Sequence, residues 1–127
     1  MTEVKEIRRT TPEEKPKIRL AAYCRVSSES YDQLNSLTAQ IDYYTHYADE
    51  RPEMELVGVF ADEGLSGLKT DKRDELRRLM TECKKGRVDK IICKSVSRFA
   101  RNTKDCLSLV RFLHSCNVTI YFEKEYI

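Results

Sequence analysis

A chain of 127 residues, 40% hydrophobic and 35% charged, has the size and make-up of one soluble globular domain, able to bury roughly two thirds of the surface its unfolded chain exposes. Its formal net charge of +2 excludes a chain-wide polycation, and neither an apolar run of the roughly 20 residues that span a membrane nor the apolar core of a secretion signal is present. The cysteines Cys24, Cys83, Cys93, Cys106 and Cys116 form no C-x-x-C pair, which points to reduced, mostly buried thiols in a cytoplasmic protein rather than to zinc or a disulfide framework.

Residues 1–17 are polar and punctuated by Pro12 and Pro16; with little to bury, they are expected to form a mobile leader ahead of a domain spanning 18–127. Residues 18–26 (IRLAAYCRV) predict a first strand. The polar stretch 28–35 offers only Tyr31 and Leu34 as apolar anchors and is expected to be mobile. Leu37, Ile41, Tyr44 and Ala48 then recur at helical spacing, with Asn35 or Ser36 as N-cap. Residues 55–61 (ELVGVFA) predict a second strand, followed by a loop over 62–71 that contains Gly64 and Gly67. Leu76, Leu79, Met80 and Cys83 mark a second helix, which Gly86 stops. Residues 88–93 (VDKIIC) predict a third strand. Leu107, Val110 and Leu113, with Cys106 and Leu109, mark a third helix entered at Asn102 or Thr103, and residues 118–122 (VTIYF) a fourth strand.

Strands alternating with helices across short connections predict an α/β fold: a mainly parallel, four-stranded or slightly larger sheet flanked by helices. Ligand sites in such sheets lie beyond the carboxyl ends of the strands. That rule gathers Arg25, Ser27 and Ser28 after the first strand, and Asp62, Glu63, Ser66 and Gly67 after the second. It adds Lys94, Ser95, Ser97, Arg98 and Arg101 after the third. Residues 84–104 hold eight Lys or Arg and one acid, Asp89, an uneven field that can draw in a polyanion although the total charge is small.

Arginines beside a serine suit attack on a phosphodiester, because guanidinium groups bind phosphate oxygens bidentately and neutralise charge in the transition state. Neither histidine serves as base: His46 and His114 fall inside helices, away from the strand ends. Ser27 as nucleophile would therefore be activated by the cationic field or by a neighbouring arginine or carboxylate. Asp62–Glu63 is the only acidic pair at this edge, too few ligands for a two-metal nuclease, and G-x-x-x-x-G-K-[ST] is absent. From the residues alone, the chain is a phosphate-handling α/β domain.

Four segments then carry a resemblance. Tyr23-Cys24-Arg25-Val26-Ser27, Ser36-Leu37-Thr38-Ala39-Gln40, Asp62-Glu63-Gly64-Leu65-Ser66-Gly67 with Arg73 downstream, and Ser97-Arg98-Phe99-Ala100-Arg101-Asn102 resemble, in order, the Y-x-R-V-S, S-L-x-x-Q, D-E-G-x-S-G and D-R-[LF]-x-R motifs of the serine recombinase catalytic domain, the resolvase and invertase family. The resemblance implies site-specific recombination of double-stranded DNA, with Ser27 attacking the scissile phosphate to leave a 5′-phosphoserine and a free 3′-hydroxyl. Arg25, Arg98 and Arg101 would hold the phosphate and Arg73 assist; Gln40, Asp62 and Ser66 would orient that set and Tyr23 line it. A further family lysine would fall on Lys84 or Lys85, a choice the loop lengths leave open. The resemblance implies no metal and no cofactor.

Two departures stand out. Ser97 occupies the place of the family's usual aspartate, a variant similar to the large serine recombinases of mobile elements. The family also continues into a long dimerising helix and a DNA-binding domain, which build dimers and tetramers; ending at Ile127, this chain is expected to be truncated before both. A catalytically silent DNA-binding or regulatory module of the same fold is the main rival, yet it should have lost the serine or an arginine. A receiver-like or nucleotide-binding domain would want an acidic pocket or a glycine-rich turn where Val26-Ser27-Ser28-Glu29 stands.

Overall fold

The computed structural model describes residues 16–26, 36–63 and 73–124. Four strands, β1 (Ile18–Val26), β2 (Met54–Glu63), β3 (Lys90–Ser95) and β4 (Thr119–Lys124), alternate with helices α1 (Leu37–Asp49), α2 (Asp74–Lys84), the single turn α3 (Val96–Phe99) and α4 (Thr103–Ser115). All pairings are parallel, in the order β2-β1-β3-β4, as the alternation of elements predicts.

The pleat of β1 divides the core. Ala21 and Tyr23 face one side, where Ile91 and Cys93 of β3 join them under Leu76, Leu79 and Cys83 of α2 and Leu113 of α4. Leu20 and Ala22 face the other side, where Ile92 and Tyr44 of α1 cover them. Burial of each of the larger side chains stabilises the fold by about 1.5–3 kcal/mol. Leu20 pairs with Leu56 but Ala21 with Gly58, so Val57 is an extra residue in β2 and bulges outward.

Helix ends follow local chemistry. The Ser36 side chain accepts from the Ala39 N–H and opens α1; the Asn102 side chain accepts from the Asp105 N–H and opens α4. Gly86 has φ +76°. Its N–H donates to the Cys83 carbonyl and the Arg87 N–H to the Glu82 carbonyl, a Schellman stop that needs a left-handed residue. Asn117, with φ 61°, ends α4 in the same way: its N–H reaches the His114 carbonyl and the Val118 N–H the Leu113 carbonyl.

Three expectations need correction. β2, β3 and β4 all run two residues past their anticipated ends, so Asp62, Glu63, Lys94, Ser95, Glu123 and Lys124 are strand residues. The short α3, buried through Phe99, was not anticipated; four residues are too few for a periodic signal. The cations of residues 84–104 do not share one face. After α2 the chain turns so that the Asp89 N–H donates to the Arg19 carbonyl near the start of β1, which puts Lys84 and Lys85 at the starting edge of the sheet, remote from Arg25. β3, at about 3.3 Å per residue, separates them from Arg98, Arg101 and Lys104. Neither Lys84 nor Lys85 can then act beside Arg25.

All five cysteines are free thiols, three of them buried. No helix among the described residues is long and apolar enough to cross a membrane.

Candidate active site

The carboxyl ends of β1, β2 and β3 come together as the parallel topology requires. Arg25 and Asp62 are register partners on β1 and β2. From β3 the chain enters α3, anchored by Phe99 edge-on to Tyr23 at 6.3 Å and to Phe122 at 5.7 Å between centroids. With Phe99 sunk in the core, the preceding Arg98 reaches sideways, and its Nη1 donates to the Arg25 carbonyl at 3.1 Å. Arg101 follows the helix with its side chain mostly exposed.

Beneath these arginines lies a buried polar network. Asp62, only 4% exposed, accepts from the Tyr23 hydroxyl at 2.8 Å, from the Glu75 N–H at 2.8 Å and from the Leu76 N–H at 3.0 Å. The carboxylate thereby satisfies the first turn of α2, whose own N-cap position, Arg73, makes no side-chain cap. Tyr23 is fully buried and meets the edge through this bond and through Arg73. Burial first, then the bond to Asp62, raises its pKa well above the ordinary tyrosine value, so it is a neutral donor.

Arg73 is buried as well. Its Nη1 donates to Asp105 Oδ2 at 2.9 Å and its Nη2 to the Phe99 carbonyl, which ties the start of α2 to the end of α3. Burial works against its charge, but bonds to Asp105 and to Tyr23 outweigh that and raise its pKa. The same Asp105 Oδ2 accepts from the Arg101 backbone N–H at 2.9 Å. Burial alone would raise the Asp105 pKa; these hydrogen bonds lower it instead.

Gln40 is buried in the first turn of α1. That helix ends just before the turn that leads into Met54, so its first turn lies at the opposite, carboxyl edge. Ser95 and Ser97 touch through their hydroxyls at 3.1 Å, and beside them opens a cleft of about 380 Å³ whose lining includes Arg101, Thr103 and Lys124. Ser27 is covalently the next residue after Val26; it, Ser66, the glycines 64 and 67, and the stretch 28–35 lie outside the described residues. Cys24 and Cys93 sit close by, but burial pushes their thiols up to about 12 and about 11, which keeps them protonated and unreactive. No group of His, Cys, Asp and Glu among the described residues could hold a metal ion. His46 and His114 lie in the last turns of α1 and α4, away from this edge.

The structure thus brings Arg25, Arg98, Arg101, Arg73, Tyr23 and Asp62 into one connected region. Asp105, which holds two of those arginines, was not among the sequence candidates. An acid three residues past an asparagine cap is a visible first-turn signal, but it reads as helix stabilisation until the arginine partners are seen.

A family model described as "Resolvase, N terminal domain" matches residues 20–127. The chain belongs to the resolvase family of serine recombinases. Among solved structures, this family member is similar to a resolvase family site-specific recombinase from Streptococcus pneumoniae, at 31% identity and a TM-score of 0.67 over 84% of this chain and 72% of the other. It is similar also to the C-terminal catalytic domain of ISC1926 TnpA, an IS607-like serine recombinase, at 29% identity and a TM-score of 0.66 over 84% and 69%. A third similarity is to the N-terminal catalytic domain of TP901-1 integrase, at 25% identity and a TM-score of 0.65 over 83% and 76%. No curated protein matches.

Proposed function

We propose that this domain breaks and rejoins double-stranded DNA through a covalent ester at Ser27. The observation that carries this reading is the bond from Arg98 to the Arg25 carbonyl: two arginines from distant segments meet at the strand end whose next residues are Val26 and Ser27. The Ser27 hydroxyl oxygen attacks phosphorus and gives up its proton, and the P–O3′ bond breaks as the 3′ oxygen leaves and takes one up. The products are a 5′-phosphoserine and a 3′-hydroxyl. Attack by a 3′-hydroxyl on that ester reverses the step and frees the serine, so an exchanged strand is sealed with no nucleotide cofactor.

Arg25, Arg98 and Arg101 neutralise the phosphorane charge in this scheme, and their field stabilises the serine oxyanion. Arg73 assists from beneath, while Tyr23, Asp62, Gln40 and Ser66 hold the set in place. Residues 18–127 act as the catalytic domain of a recombinase that works as a dimer or tetramer on DNA.

The test is strand polarity. Site DNA labelled separately at its 5′ and 3′ ends is incubated with a full-length parent that carries this domain, denatured and run on a gel. Protein should remain attached to the 5′ side of the break, leaving an unblocked 3′ end. Attachment to the 3′ side, or breaks with no attached protein, would overturn the mechanism.

A further inference from the structure

We infer that Asp105 is a positioning residue that sets Arg101 for phosphate contact and is itself held in place by Arg73. The inference rests on the reading of this edge as a phosphate site. Asp105 occupies the first turn of α4, where its backbone N–H is tied to the Asn102 cap at 2.8 Å. A first-turn carboxylate that merely favoured the helix would face solvent and the N-terminal amides. The Asp105 carboxylate instead points back across the α3–α4 junction.

One oxygen, Oδ2, takes the Arg101 backbone N–H at 2.9 Å, lies 3.8 Å from the Arg101 Nε and pairs with the buried Arg73 Nη1 at 2.9 Å. Arg73 in turn holds the Phe99 carbonyl. The segment from Phe99 to Arg101 is thereby gripped at both ends by one ion pair, the carbonyl of Phe99 by the cation and the N–H of Arg101 by the anion. The Arg101 side chain stays 62% exposed, its backbone fixed and its charged tip reaching outward, which is the arrangement a preorganised phosphate donor requires. Ala100 and Arg101 lie between two helices, and among the described residues no other group holds the Arg101 N–H.

The experiment uses the 127-residue chain with isotope-labelled arginine and inorganic phosphate as the probe. It compares wild type, Asp105→Asn, Asp105→Ala, Arg101→Ala and the Asp105→Ala/Arg101→Ala double variant, each first shown to be folded by thermal unfolding. Asp105→Asn keeps an oxygen for both N–H groups while losing the charge. Without phosphate, Asp105→Ala should speed hydrogen exchange at the Arg101 amide by about 10-fold or more, while the β1 amides stay protected and Asp105→Asn stays near wild type.

With phosphate, Asp105→Ala should weaken binding by about fivefold, and the double variant should bind no more weakly than Arg101→Ala alone. Simple loss of a negative charge would act in the opposite direction and tighten anion binding. An Arg101 amide as protected in Asp105→Ala as in wild type overturns the positioning role. So does unchanged or tighter phosphate binding in that variant, or losses that add in the double variant. If no wild-type arginine responds to phosphate although the Arg101 amide loses its protection, the phosphate-site reading fails instead, and the link from Asp105 to phosphate falls with it. Should Asp105→Ala not fold, Asp105→Glu, which keeps the charge but displaces the carboxylate by one methylene, takes its place with the same outcomes.

Discussion

At the residue scale, the motif positions divide between those that face outward and those that hold the edge together from inside. Asp62 belongs to the second kind. Its carboxylate satisfies two backbone N–H groups of α2 and the buried Tyr23 hydroxyl, so Asp62→Ala should destabilise the domain by about 2–3 kcal/mol, read as a shift in the denaturant midpoint. A loss below about 0.5 kcal/mol would show that water replaces the carboxylate at little cost. Arg101 belongs to the first kind, and Arg98 is half-buried with its Nη1 on the Arg25 carbonyl. In a full-length parent, Arg98→Ala or Arg101→Ala should remove about 2–4 kcal/mol of transition-state stabilisation and cut cleavage by about 100-fold or more, with the domain still folded; cleavage at the wild-type rate in either variant would remove that arginine from the site. Arg73 straddles the two, buried against Asp105 and Phe99, so activity lost in Arg73→Ala must be compared with its melting temperature. The sequence showed which residue types met at the edge, because motif order and strand ends are local signals. It could not show that Tyr23 is sealed in the core or that Asp105 joins Arg73 to Arg101, because those contacts close across 39 and 32 residues.

At the scale of elements, strands and long helices were legible from their periods of two and 3.6 residues, whereas the ends of β2 and β3 were not. Their last residues, Asp62, Glu63, Lys94 and Ser95, are polar and carry no strand signal; pairing with β1 and β4 holds Asp62, Glu63 and Ser95 in the sheet. The Gly86 stop was legible because a left-handed C′ position, here at φ +76°, favours glycine most strongly. Gly86→Ala should cost about 1 kcal/mol without changing cleavage, since the residue lies at the edge away from Arg25; equal stability of the two proteins would mean that the left-handed turn is not required. Asn117 makes the matching stop after α4 with the one other residue type that commonly tolerates it.

For the whole molecule, the sheet sorts charges that the sequence runs together. Lys84 and Lys85 lie at the starting edge, and Arg25, Arg98 and Arg101 at the carboxyl edge. DNA bound through those three arginines should weaken with salt at a log–log slope of about −3, and Lys84→Ala or Lys85→Ala should leave that slope unchanged; a reduced slope in either lysine variant would place DNA on the other edge. The buried thiols give the fold an alkaline limit. Burial holds Cys24 and Cys83 up to about 12 and Cys93 up to about 11, whereas unfolded thiols titrate near 8.5. Folded-state values above the unfolded ones mean that this stabilisation is complete below pH of about 8.5 and fades as pH rises toward 11–12. Denaturant midpoints should therefore be level across neutral pH as far as these groups are concerned and fall between pH of about 9 and 11; a flat midpoint across that window would contradict the burial of these groups. The function turns on Ser27, and peptide mapping of the DNA adduct tests it most directly. For a full-length parent, mass spectrometry after nuclease trimming should find the nucleotide phosphate on Ser27, with Ser28→Ala still forming the adduct and Ser27→Ala forming none while binding DNA nearly as before. A remnant on any other residue, or an adduct that persists in Ser27→Ala, would contradict the mechanism.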